Sequence, residues 1–167
     1  MSHHQEMTHR DRGLVVIRPA AKSDLATLLD FRMAMMAELS DPGTQPSSGV
    51  ESVRDANAAW LRKHFGHGFS AWLAELDGVP VASAGLQWFE HPPGPKNHAG
   101  TEAYILNVYT IPDARRLGLA RKLVQRIVDE AGAAGVRRIW LRASRYGRPL
   151  YVSMGFREAD YLQLTPD

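Results

Sequence analysis

The stretch Arg115-Arg116-Leu117-Gly118-Leu119-Ala120 decides how this chain is read. It follows an apolar, β-branched run, Tyr104 to Ile111, and opens a segment with apolar residues at helical spacing, Leu119 to Ala134. A strand that turns through a glycine into a helix leaves the first helical N–H groups without internal partners. Those donors and the helix dipole attract phosphate oxygens, and Arg115 and Arg116 add charge beside them. The pattern lacks the Lys-Ser/Thr pair of a P-loop. It also lacks the G-x-G-x-x-G spacing of a dinucleotide turn. An anion cradle of another kind is expected here; the plainer alternative is a solvated helix start.

The flanking sequence supplies the rest of a sheet. Leu14 to Arg18 reads as a short strand stopped by Pro19. Ser23 is the expected N-cap of a helix whose stripe is Leu25, Leu28, Leu29, Arg32, Met33 and Met36. Met33 and Met36 are expected in the core, with Met35 partly exposed. Asp41 to Gly49 is a polar loop, followed by a helix from about Val50 to Lys63. Phe69 to Leu76 and Val79 to Trp88 form a hairpin around Asp77-Gly78. His91 to Gly100 is a Pro-rich loop. After the helix from Leu119, Arg137 to Ala143 is a strand, Leu150 to Met154 a short helix, and Phe156 with Tyr161 to Leu164 final strand material. This order predicts one mixed α/β sheet in one domain.

Composition narrows the function classes. At 167 residues and 44% hydrophobic, the chain can bury one core. No apolar run approaches the ~18 residues of a membrane span. Residues 1–12 are polar and His-rich, which reads as a flexible tail without the apolar stretch of a secretory signal, so the expected location is cytoplasmic. With no cysteine, a thiol nucleophile is absent, and an acyl transfer must be direct or use a hydroxyl. His64, His67, His91 and His98 lack ligand spacing, so no metal is expected. Between Arg115 and Arg148 ten Lys or Arg face two acids, a net +8 in a chain of net +2. That asymmetry suits a polyanionic ligand such as coenzyme A, with nucleic acid as the rival.

Three segments recur in a telling order. Asn107-Val108-Tyr109-Thr110-x-Pro112 precedes the cradle, and Gly147-Arg148-Pro149-Leu150-Tyr151-x-x-x-Gly155-Phe156 follows the next strand. This series resembles the GNAT superfamily, the CoA-dependent N-acetyltransferases, over roughly Glu102 to Phe156. Three positions depart from the common pattern: Ala120 replaces the commoner Gly, a permitted variant, and Ser144 and Gly147 stand where many members carry Asn and Ala. The resemblance implies a mostly antiparallel central sheet with a splayed parallel pair, flanked by helices on both faces, with residues 13–167 as a single N-acetyltransferase domain.

The resemblance also implies a chemistry. Acetyl-CoA would be the co-substrate, and a small-molecule or peptide amine the acceptor. Neither nucleic acid nor membrane is expected as a partner, and dimers are frequent in the superfamily. A bulge in the strand before the cradle would free N–H groups of Val108, Tyr109 and Thr110 for the pantetheine and the thioester carbonyl. The diphosphate would lie on Arg115, Arg116, Leu117, Gly118, Leu119, Ala120 and Arg121, with Ser144 alongside. Tyr151 is the candidate general acid for the leaving thiolate, and packing on the cofactor is its other role. Asn107 could hold the acceptor amine. Glu102 is a candidate base, with Glu90 and His91 behind it. Two other readings stay open: a CoA-binding module without catalysis, and a nucleic-acid-binding domain using the basic 115–148 segment.

Overall fold

A computed structural model describes residues 13–40, 50–159 and 162–164. The expected tail at 1–12, the loop at 41–49 and Tyr161 lie outside the described residues. Among the described residues, five strands form one sheet in sequential order. They are β1 (Val15–Pro19), β2 (Phe69–Leu76), β3 (Val79–Glu90), β4 (Thr101–Thr110) and β5 (Ile139–Leu141). The first four pair antiparallel; β4 and β5 run parallel. Four α-helices join them: α1 (Leu25–Leu39), α2 (Val50–His64), α3 (Leu119–Ala133) and α4 (Arg148–Ser153).

Strand alternation splits the core into two layers, because successive side chains point to opposite faces of a sheet. Ala71 and Leu73 of β2 face α1 and α2, meeting Leu28, Leu29 and Leu61. Trp72 and Ala74 face the other way, toward Leu119, Leu123, Val124, Ile127 and Ala131 of α3. Those α3 positions recur every three or four residues, so one stripe of the helix is removed from water. Each fully buried Leu or Ile contributes roughly 1.5–3 kcal/mol, which makes α3 the most firmly docked helix around the cradle.

Several expectations are corrected. Ser23 does not cap α1: residues Lys22–Asp24 form a 3-10 turn, and Asp24 precedes the helix. The Asp24 carboxylate instead accepts from the Ala21 N–H at 2.7 Å and from Arg18 at 2.8 Å. A charged partner on β1 outcompetes the local hydroxyl. The strand expected over Arg137 to Ala143 contracts to Ile139–Leu141. No strand forms at Phe156 or at 162–164. Leu162 and Leu164 are 101% and 86% exposed, so their alternation has no apolar face to bury. Both Met33 and Met36, expected in the core, are only partly buried; Met33 packs against the α1–α2 cluster.

Candidate active site

The register of β3 against β4 breaks at one place. Gly85 pairs with Leu106 and Ser83 with Tyr109, so Asn107 and Val108 together oppose Ala84. This is a β-bulge, and Asn107 takes φ +54° to make it. Asn tolerates that left-handed backbone better than most residues. Past the bulge, the Ile111 N–H donates to Val81 O at 3.0 Å. Strand groups alternate between edges, so Tyr109 and Ile111 present their backbone to β3. Val108 and Thr110 present theirs to the opposite edge. The Tyr109 N–H expected at the cofactor is therefore turned into the sheet, and its side chain lines the cavity instead.

That opposite edge is open. The β4–β5 ladder ends at Ile105 opposite Leu141. Beyond it the two strands part, and a groove of about 1220 Å³ lies between them. One wall is Leu106 to Thr110; the other is Arg142 to Ser144, continuing into Gly147, Leu150 and Tyr151 of α4. Ala120, on the first turn of α3, also lines it. The volume exceeds the ~300–1,000 Å³ usual for small-molecule pockets, which fits an elongated ligand.

At the groove end, α3 starts without a side-chain cap. Gly118 is its N-cap residue at φ +74°. Arg116 also has positive φ, +65°. Two left-handed residues within three positions fold the chain sharply and leave the first α3 N–H groups directed outward. Arg116, Leu117 and Gly118 are exposed, whereas Leu119 is buried in the core, leaving its backbone alone to serve a ligand. Arg121 donates to Ser153 Oγ of α4 at 2.6 Å, away from the groove wall. Arg115 does line the groove, but Glu38 holds its Nη2 at 2.7 Å through both carboxylate oxygens, and its Nε donates to Thr110 O. Glu38 also accepts from the Tyr109 hydroxyl at 3.0 Å. Burial, with the Glu38 carboxylate behind it, pushes the Tyr109 phenol up.

Tyr151 is 9% exposed and lines the groove. Burial pushes its phenol up to about 12. Its hydroxyl has no hydrogen-bond partner among the described residues. Gly147 explains the ring's placement: a Cβ there would lie 2.9 Å from the Tyr151 ring. The glycine that departs from the common GNAT pattern thus makes room for the tyrosine. Ser144 accepts from the Gly147 N–H at 3.1 Å and steadies the same turn.

Not every candidate joins this site. Glu102 lies at the far end of β4, bound to His91 at 3.0 Å and Arg138 at 3.1 Å. It lines neither cavity, and Glu90 and His91 accompany it on the rim of the sheet. The only carboxylate among the described groove residues is Glu38, already engaged. Asn107 does belong here, and it brings a residue that the sequence reading placed in a helical stripe. Arg32 of α1 donates from Nη1 to Asn107 Oδ1 at 2.5 Å and from Nε to Asn57 Oδ1 of α2. A second cavity of about 240 Å³, lined by Arg32, Ala56, Asn57, Trp60, Leu106 and Asn107, adjoins the groove at the bulge. A lone Arg among Leu and Met at helical spacing was the signal for it. Among the described residues no cluster of His, Asp or Glu is arranged to hold a metal, and no helix is long and apolar enough to cross a membrane.

The fold that carries this groove has counterparts among known proteins. Residues 33–156 match the family described as "Acetyltransferase (GNAT) family", and the chain belongs to that family, whose members use acetyl-CoA. Its fold is similar to a GCN5-related N-acetyltransferase from Ralstonia eutropha JMP134, with TM-score 0.81 and 27% identity over 91% of this chain and 98% of that one. It is equally similar to a "predicted acetyltransferase with acetyl-CoA" from Clostridium acetobutylicum, with TM-score 0.80 and 26% identity over 91% and 96% of the two chains. A [Ribosomal protein bS18]-alanine N-acetyltransferase of Escherichia coli (strain K12) is 43% identical over 61 residues. That match spans 35% of this chain and 41% of the relative, less than half the length of either.

Proposed function

We propose that this protein transfers the acetyl group of acetyl-CoA to a primary amine of a small molecule or peptide by direct attack in a ternary complex. The observation that carries the reading is the groove itself. The β4 bulge, the first turn of α3 and Tyr151 line one cavity of about 1220 Å³. In this reading residues 13–167 act as one acetyltransferase domain, working in the cytoplasm.

Acetyl-CoA supplies an acetyl group activated as a thioester. The N–H groups of Leu117 to Arg121 hold its diphosphate, and the Arg116 guanidinium adds charge. Val108 and Thr110 donate along the open edge of β4 to the pantetheine and the thioester carbonyl. An N–H aimed at that oxygen stabilises the negative charge it gains as the amine attacks. The new C–N bond forms and the C–S bond breaks, releasing a thiolate. Tyr151 stays protonated at working pH and faces that sulfur. With its phenol near 12 and a thiol near ~8.5, complete proton transfer is uphill. Tyr151 therefore serves as a hydrogen-bond donor to the leaving group. The amine proton leaves through water, since no unengaged carboxylate lines the groove among the described residues. Asn107 orients the amine beside the bulge.

The test is free-thiol release from acetyl-CoA across an amine library, with CoA binding followed by calorimetry. Amine-dependent thiol release with stoichiometric N-acetylation is the expected result. CoA binding with no release for any amine would favour a CoA-binding module without catalysis.

A further inference from the structure

The smaller cavity beside the bulge holds a cation that no carboxylate among the described residues neutralises. Arg32 is half-buried, and its only described hydrogen-bond partners are two neutral amide oxygens, on Asn57 and Asn107. Among the described residues, the other partly buried arginine pairs with carboxylates: Arg18 meets Asp24 and Glu75. Taking a guanidinium out of water is costly, and burial indeed lowers the Arg32 pKa. A half-buried charge is normally paired. No described carboxylate pairs Arg32, whose electrostatic neighbour is the phenol of Tyr104, and its Nη2 has no described hydrogen-bond acceptor. The Asn57 amide nitrogen is committed to Val53 O at 2.8 Å, whereas the Asn107 amide nitrogen has no described partner. Two adjacent donor groups, Arg32 Nη2 and Asn107 Nδ2, therefore lack acceptors in a cavity walled by Trp60, Leu106 and Ala56.

We propose that Arg32 is a specificity-determining residue that binds a carboxylate of the acceptor, so that the acceptor class is a small amino acid. Guanidinium and carboxylate match in planar geometry and make charge-assisted pairs. A cavity of about 240 Å³, below the ~300 Å³ lower end for drug-sized ligands, suits a molecule of that size. Its apolar walls accept a short apolar side chain. The same positive charge repels polyamines and other polycations. Asn107 joins this cavity to the groove, which places a carboxylate-anchored amine next to the β4 bulge. This inference rests on the acetyl-transfer reading.

The experiment compares each amino acid with its own carboxamide, which keeps the amine and removes the negative charge. Glycine, L-alanine, L-methionine and L-phenylalanine are paired with their amides, and spermidine is added, with thiol release from acetyl-CoA as readout. The amide's amine is less basic, which biases the comparison against the expected result. The wild type should favour the carboxylate by about tenfold or more in kcat/KM for at least one pair, the scale of a hydrogen bond to a charged group. Arg32→Gln should erase that preference, read as the ratio of carboxylate to carboxamide kcat/KM within the variant, and Arg32→Lys should restore part of it. Equal wild-type rates on both members of every pair, or a preference for spermidine, would overturn the inference and leave acetyl transfer standing. So would a carboxylate preference that survives in a folded Arg32→Gln. Should either variant fail to fold by circular dichroism, the wild-type ratio decides alone. Bound acetyl-CoA with no thiol release for any of these amines sinks this acceptor class, and the wider amine library then judges the reaction.

Discussion

Tyr151 is nine-tenths buried yet keeps its hydroxyl free of described partners, facing the groove. The ring is buried while the hydroxyl keeps access to the groove, where an incoming acceptor can reach it. The leaving sulfur would supply the missing acceptor. Tyr151→Phe should therefore lower kcat by about 10–10²-fold, the worth of one hydrogen bond to a charged group, with CoA affinity within about threefold by calorimetry. An unchanged kcat would leave the ring with packing alone. The same residue predicts a pH effect on stability. Its phenol moves from the ordinary 10.0 up to about 12 on folding, so the folded state holds the proton more tightly. That contribution is present in full below about pH 10 and is lost as pH rises through about 12. Thermal denaturation from pH 8 to 12 should show a shallower decline for Tyr151→Phe than for the wild type.

The start of α3 combines two requirements in one element. The helix must dock through Leu119, Leu123 and Ile127, all at most 2% exposed, and must leave its first N–H groups open. A Ser or Asp N-cap would stabilise the helix but would occupy those donors with its own oxygen. Gly118 solves the conflict by adopting φ +74° with no side chain to intervene. A Cβ added there would meet nothing within 4 Å, so the constraint is the backbone angle and not crowding. Gly118→Val should cost about 1–2 kcal/mol of stability in denaturant unfolding, the strain of a left-handed non-glycine residue. It should also weaken CoA binding by about tenfold or more, since relief of the strain turns the N–H groups away from the diphosphate. Gly118→Asn, which tolerates this conformation, should lose less on both counts. Equal CoA affinity for Gly118→Val and wild type would remove α3 from the binding site.

The sheet as one body is firm at one side and open at the other. β3 is paired along both edges by β2 and β4, whereas β5 is held by three residues of ladder. Local opening is cheapest where few contacts must break. Amide exchange should therefore be slowest in β2, β3 and the buried stripe of α3, and faster by orders of magnitude in β5. Acetyl-CoA should raise protection at 108–110, 117–121 and 139–144 together, because a ligand lying in the cleft bridges both strands and the helix start. Protection gained only at surface loops would contradict that placement.

The motifs around Asn107, Gly118 and Tyr151 were readable because they depend on local backbone needs. A strand end, a left-handed turn and a helix start each demand particular residues within a few positions, whatever surrounds them. The hairpin at Asp77-Gly78 and the α3 stripe were readable for the same reason, and they reveal the sheet and its family. Position 118 must take a left-handed backbone for the helix to start there with open donors, which favours glycine. Arg32, Glu38 and Asn57 carry no such signature. Their meaning arises from contacts across 25 to 77 positions of chain, which exist only once α1 and α2 pack on β4. The lack of a strand at Phe156 and 162–164 and the shortened β5 are of this kind too: alternation proposes a strand, but only a neighbouring edge with an apolar face makes one. Local geometry could thus be read from residues in order, while the acceptor cavity came into being through packing between segments far apart in sequence.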